Sequence, residues 1–319
     1  MTIRNSHFTA ALIAVLPLAL PALAEQPAAA VPSASTTVAK QASYSTADEA
    51  VTALVDAIRA EDRTAVFAVV GPASETWLSS GDPVADRDDW KRFLALYDAK
   101  HALVKIGDAT DTLTVGVDSW PFPAPLVRKG DSWRFDAEAG RAEVLKRRVG
   151  RNELDTIQTL LAIVDAQREY SIGDGDRNGI HNYAMRFMSS SNKRDGLYWV
   201  VPAGAPQSPL GRLVAAAEAK GYVTTDEAPS PYQGYLFRML TAQGPEAPGG
   251  AYDYVVQGDL IGGFAVIAWP AKYGNSGIMS FMVSHDGIVY QTDLGDDTAS
   301  RAAKIKRFNP DKTWTRVHE

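Results

Sequence analysis

Three oxygen-bearing side chains alternate in Asp174-Gly-Asp176-Arg-Asn178-Gly179. They take relative positions 1, 3 and 5 with the turn glycine at 6, the opening of a calcium loop whose oxygens replace the ion's hydration shell. Position 12 of that pattern, which supplies the bidentate carboxylate, falls on Met185, which has no oxygen to give. Calcium at Asp174, Asp176 and Asn178 therefore needs a further ligand, from Asn182 or a backbone carbonyl. The plainer reading is a turn in which these side chains satisfy the chain's own amides.

Acid–base chemistry has one candidate pair, Asp98 and His101, in which a carboxylate would orient an imidazole acting as base if both line a pocket. The other histidines beyond the leader, His181, His285 and His318, never reach the i, i+4 or His-x-His spacing of a metal face. Neighbouring carboxylates at Asp48-Glu49, Asp88-Asp89 and Asp296-Asp297 read as helix starts, where negative charge meets the positive end of the dipole. A serine nucleophile is announced by a Gly-x-Ser-x-Gly elbow or a Ser-x-x-Lys helix, and neither an elbow nor an adjacent base is apparent. With no cysteine, thiol nucleophiles, disulfides and cysteine-zinc sites are excluded. Gly249-Gly250 and Gly262-Gly263 lack the Lys-Ser/Thr and following helix of a phosphate loop. Trp120-Pro-Phe-Pro123 and Tyr198-Trp-Val-Val-Pro202 set large rings beside prolines, outside regular helix. A binding patch for a small ligand or an envelope protein would join Trp120, Tyr198, Trp199, Tyr232 and Tyr235; otherwise these rings serve as lids over the sheets.

The elements that must position these residues begin after residues 1–24. There Arg4, an apolar run from Phe8 to Leu20 and Pro21-Ala-Leu-Ala24 have the form of a secretory signal peptide, too short to span a bilayer. Removing it leaves 319 less 24, or 295, residues with no expected membrane span and a periplasmic address, secretion being the alternative. Residues 25–43 are rich in Ala, Pro, Ser and Thr and read as a linker. A net charge of −6 disfavours nucleic acid as a partner.

Thr46 and Glu49 have capping-box spacing, and Val51, Leu54, Val55 and Ile58 fall on one helical face. Helices over Thr64 to Val70 and Asp89 to Tyr97 follow, with Ser79 to Asp82 as a helix C-terminal turn. Strands are expected over 102–106, 112–117, 124–128 and 132–135. Helices first and an antiparallel sheet afterwards make residues 44–149 an α+β domain. This order of elements resembles the cone-shaped nuclear-transport-factor-like folds.

Glu138 to Tyr170 reads as mostly helical, Val144, Leu145 and Val149 preceding Gly150. A domain boundary is expected near Gly150, where a long amphipathic helix carrying Leu154, Ile157, Leu160, Leu161 and Val164 leads into residues 150–319. Beyond it, Gly234 to Leu294 reads as a glycine-punctuated antiparallel sheet, with Asp286-Gly287 as a hairpin turn. Helix followed by such a sheet resembles the headgroups of type IV pilins and pseudopilins, although the prepilin leader and apolar stem are absent. The whole is α+β.

Longer strings carry a more specific resemblance: Ser79-Ser-Gly-Asp-Pro-Val-Ala-Asp86, Trp120-Pro-Phe-Pro123, Gly150-Arg-Asn-Glu-Leu154, Val164-Asp-Ala-Gln-Arg-Glu-Tyr170, Lys193-Arg-Asp-Gly-Leu-Tyr-Trp199 and Leu240-Thr-Ala-Gln-Gly-Pro245. On these the chain resembles the domain-of-unknown-function 2950 family of exported bacterial proteins, which implies no activity. The expected function is that of an exported, non-catalytic envelope protein acting as a binding or assembly module. The alternative is a periplasmic hydrolase or small-ligand enzyme using a pocket of the N-terminal domain.

Overall fold

The computed structural model describes residues 40–222 and 230–317. The expected leader, linker residues 25–39 and His318 lie outside the described residues.

Helix α1 (Ala47–Arg59) starts where the capping box predicts. Thr46 Oγ1 accepts from the Glu49 amide at 3.1 Å, while Glu49 Oε2 accepts from the Ser45 amide at 2.9 Å, one residue before the usual partner. Its buried face holds Val51, Leu54, Val55 and Ile58. Next come α2 (Arg63–Val70), a 3-10 turn at Pro72–Ser74 and the short α3 (Glu75–Leu78). Ser79 ends α3, and Asp82 caps α4 (Pro83–Ala99) by accepting from the Val84 and Ala85 amides, so this helix begins well before Asp89.

An antiparallel sheet follows, built from β1 (His101–Gly107), β2 (Thr110–Val115), β3 (Trp120–Pro121), β4 (Leu126–Lys129) and β5 (Ser132–Phe135). Its order is β1-β2-β4-β5, with β3 on the free edge segment of β2. The four expected strands are all present. One core cluster lies between this sheet and α1 and α2, with Leu54, Leu113, Leu126 and Phe135 all but sealed from solvent.

Helix α5 (Ala137–Ile172) begins at the Asp136 cap and runs 36 residues without a break. It therefore crosses Gly150, the position at which the spacing predicts a helix start. Val144 and Leu145 pack on the first core cluster, and Leu160, Ile163, Val164 and Tyr170 belong to a second. A glycine costs a helix interior only about 1 kcal/mol, too little to interrupt a helix held by packing on both sides. Gly150 is exposed, and a Cβ there would meet nothing within 4 Å. Gly150→Ala is therefore expected to raise stability by about 0.5–1 kcal/mol, read as a higher urea midpoint at unchanged slope.

The second cluster is completed by a parallel pair, β6 (Arg186–Met188) and β7 (Gly196–Tyr198), by α6 (Gly211–Lys220), and by a larger sheet. The chain runs through β8 (Tyr235–Leu240) and short pairs formed by β9 (Ala242–Gln243) with β10 (Tyr252–Asp253) and by β11 (Val255–Val256) with β12 (Asp259–Leu260). It then forms β13 (Ala265–Pro270), β14 (Met279–Ser284) and β15 (Val289–Asp293), followed by α7 (Thr298–Lys304) and β16 (Thr315–Arg316). The sheet order is β16-β15-β14-β13-β8, antiparallel throughout. Every residue of β13 is buried, because α5 and α7 both pack against it. The expected hairpin joins β14 to β15, and Gly287 takes the positive φ of 79° that its turn needs. The fold is α+β.

Candidate functional site

A cavity of about 650 Å³ opens between α1, α2, α4, the first sheet and the N-terminal part of α5. Its walls are apolar: Leu54 and Ile58 of α1, Val66 and Val70 of α2, Trp90, Phe93 and Leu96 of α4, and Trp120 to Pro123 from the sheet. The local sequence explains the opening. In α4, Trp90, Phe93, Leu94, Leu96 and Tyr97 make a broad apolar face, yet the one buried side chain of that helix is Asp86. Its rings are half-exposed because they border empty volume instead of packed neighbours. The pairs Phe93–Phe122, at 5.5 Å between centroids, and Phe122–Phe135, at 5.7 Å, tie this wall to the sheet.

Charged groups are set into the same walls: Asp86, Asp89 and Arg92 from α4, and Arg147, Arg148 and Arg151 from α5. Val144, Arg147, Arg148 and Arg151 stand at i, i+3, i+4 and i+7, so a single helix face carries three guanidiniums. That stripe was legible in the sequence but is masked by the apolar spacing of the same helix. Arg148 is 7% exposed and donates to the carbonyls of Trp77 and Leu78 and to Asn275 Oδ1. Burial pulls its pKa down, opposed by the charges of Asp86 and Asp89. Arg151 pairs with Asp89 at 2.8 Å, whereas Arg92 reaches the same carboxylate only at 3.8 Å. Arg147 pairs with Glu143 at 2.7 Å and donates to the Pro121 carbonyl.

Asp86 is 5% exposed and accepts from the Ser80 amide. Burial pushes its carboxyl up, against the pull of the Ser80 hydrogen bonds and of Arg148 and Arg63. A raised folded-state pKa means that the native protein holds the proton more tightly than the unfolded chain, so stability falls as pH rises through that window. As pH rises above the ordinary carboxylate value, the urea midpoint of the wild type should therefore drop relative to that of Asp86→Asn, whose amide keeps an acceptor for Ser80 without titrating. A gap that stays constant with pH would contradict this.

Neither Asp98 nor His101 lines this cavity. Asp98 pairs with Arg59, while His101 is exposed, stacks on the Tyr97 ring at 3.8 Å and bonds the Tyr97 carbonyl through Nδ1. The two side chains take different partners because the helix ends at Ala99 and His101 opens a strand.

The expected aromatic patch divides into parts. Trp120, 55% exposed, borders the first cavity. Tyr198 and Trp199 line a second, more polar cavity of about 610 Å³ with the loop Ser189 to Arg194, and the Arg194 guanidinium lies 5.0 Å over the Trp199 ring. Ser190 and Lys193, at Ser-x-x-Lys spacing, sit on this wall, where Ser190 Oγ is held between Arg186 and Asp195. Tyr232 packs edge-on against Tyr222. Tyr235 is sealed in the core with its hydroxyl donating to the Met279 carbonyl, because its ring packs beside Phe281 and directly over Gly277. Tyr235 thus belongs to packing and not to a surface.

The loop of Asp174, Asp176 and Asn178 closes on itself. Asp174 accepts from the Gly179 amide, and Asp176 accepts from Asn178 and Asn182, which also donate towards Asp259. Among the described residues, no three His, Cys, Asp or Glu side chains are grouped to hold a metal ion.

A family described as protein of unknown function (DUF2950) matches residues 41–317. The chain belongs to this family. No curated protein and no solved structure matches this DUF2950 chain. Among its described residues, no helix is long and apolar enough to cross a membrane.

Proposed function

We propose that this DUF2950 protein is an exported, non-catalytic binding module of the cell envelope, and that its N-terminal cavity takes a small molecule with a large apolar part. The observation that carries this reading is the aromatic face of α4, which borders a cavity of about 650 Å³. That volume is within the roughly 300–1,000 Å³ of ligand pockets. Apolar side chains left beside such a volume gain free energy from any apolar group that displaces water from it. The leader-like residues 1–24 support export, to the periplasm in the first instance, with secretion as the alternative. Asp98 and His101 provide no second, enzymatic reading, since each is engaged elsewhere and outside the cavity.

An environment-sensitive naphthalene dye tests the cavity directly. Its emission should rise on mixing with the protein and the melting midpoint should increase, as binding to the native state requires. Leu96→Trp, which projects bulk from the α4 wall, should cut dye affinity by about tenfold or more, since the occupied volume loses its apolar contacts. Dye that stays dark, with an unchanged midpoint, would remove this reading. Cell fractionation that leaves the protein in the cytoplasm would remove the export part alone.

A further inference from the structure

The same cavity carries a signature of charge. Four guanidiniums, Arg92, Arg147, Arg148 and Arg151, share its lining with two carboxylates, Asp86 and Asp89, a balance of 4 − 2 = +2. The whole chain is at −6. Including the ion-pair partners outside the lining, Arg63 for Asp86 and Glu143 for Arg147, leaves the balance at 5 − 3 = +2. The site is thus a positive region in an acidic protein. Both carboxylates are engaged, Asp86 being buried and bonded to the Ser80 amide and Asp89 held by Arg151.

Arginines beside an apolar void suit one kind of occupant. A guanidinium presents paired donors that match a carboxylate or phosphate, and its attraction for an anion grows where water is displaced. The apolar walls suit an alkyl chain, which has no polar group to leave unsatisfied. We infer that the cavity binds a single-chain amphiphile with an anionic head, the alkyl chain lying against Trp90, Phe93 and Leu96 and the head held by Arg92 and Arg147. This rests on the binding reading above and specifies its ligand. Arg148 is buried and spent on backbone carbonyls and Asn275, and Arg151 is held by Asp89, a carboxylate of the same lining that would repel the head. Arg147 pairs instead with Glu143, an exposed i, i+4 partner outside the lining and a weak tie, and Arg92 stands 3.8 Å from Asp89, so these two are assigned to the head.

Displacement of the dye from the purified protein separates the contributions. Decanoate, dodecanoate and tetradecanoate should tighten about fourfold per methylene until the cavity is full. Dodecanoate should compete at least about tenfold better than dodecanol, and that advantage should shrink as salt is raised. In the double variant Arg92→Gln, Arg147→Gln the advantage should vanish while dodecanol is unaffected, and lysines at both positions should restore most of it. Dodecyl phosphate compared with dodecanoate distinguishes a phosphate-headed lipid from a free fatty acid as the better occupant.

Dodecanol competing as well as dodecanoate would overturn the anionic head and leave an apolar-ligand site. Dodecyltrimethylammonium competing best would overturn it outright. If no amphiphile displaces the dye, although the dye itself is bound, the alkyl-chain assignment falls. If the dye does not bind, the cavity reading falls with it.

Discussion

Phe281→Ala is expected to cost about 4 kcal/mol and to abolish the native fold at modest denaturant. The ring lies on β14, with β13 on one side and β15 on the other, and is fully buried. It packs 5.9 Å from the Tyr235 ring, and Tyr235 in turn donates to the Met279 carbonyl of the same strand. This cluster has no slack: a Cβ at Gly277 would overlap the Tyr235 hydroxyl, so the neighbours cannot move far to fill a void. Truncation therefore adds a cavity term to the lost transfer energy. Phe281→Leu, which keeps most of the volume, should cost less than half as much. Equal losses for Ala and Leu in urea titrations would show that ring geometry, and not volume, sets the stability of this core.

Arg148→Met should destabilise by about 3 kcal/mol despite keeping the length of the stem. The guanidinium joins three acceptors that no other element brings together: Trp77 O and Leu78 O from the end of α3, and Asn275 Oδ1 from the loop between β13 and β14. Removing it withdraws the donor from three acceptors, those of Trp77 and Asn275 buried and that of Leu78 partly so, and leaves Asp86 with one fewer opposing charge. Asn275 itself donates to the Thr76 and Ser79 carbonyls, so the variant loosens a network and not a single bond. Arg148→Lys should rescue little, because one ammonium cannot reproduce the planar fork. The urea midpoint is the measurement, and a lysine variant as stable as wild type would show that charge alone suffices. The second tie between the two core clusters, Asp82 Oδ2 accepting from Tyr222 Oη at 2.8 Å and from the Gly234 amide at 3.0 Å, should keep the variant folded in water.

Local chemistry accounts for what could be read in the chain beforehand. Thr46 and Glu49 announce a helix start, and Asp286-Gly287 announces a hairpin, because each involves only neighbours in sequence. Four of the five strands of the first sheet were legible from their alternation and from turns such as Lys129-Gly-Asp131, the two-residue β3 being the exception. The unbroken passage of α5 through Gly150 was not, since it is decided by side chains that pack on two different cores. Tyr235 failed as a binding residue for a similar reason: exposure is a property of the assembled sheet, and an aromatic beside glycine serves equally as core. The cavity was beyond sequence reasoning, because empty volume has no residue type. What the sequence did contain was its charge pattern, Arg147-Arg148-x-x-Arg151, on the helix face that closes it. The Asp98 and His101 pair was drawn from proximity in sequence, which the change from helix to strand between them undoes.

Helix α5 serves both cores, and this gives it the mechanics of an axle. At about 1.5 Å per residue, its 36 residues extend roughly 54 Å, with Val144 and the arginines near one end and Ile163 and Val164 well towards the other. A hydrogen-bonded helix resists twisting, so any roll about its axis that makes room for a bulkier guest beside Val144 must also swing Ile163 against the second sheet. The girth of an acceptable guest is then limited by the tight fit of side chains that the guest never touches.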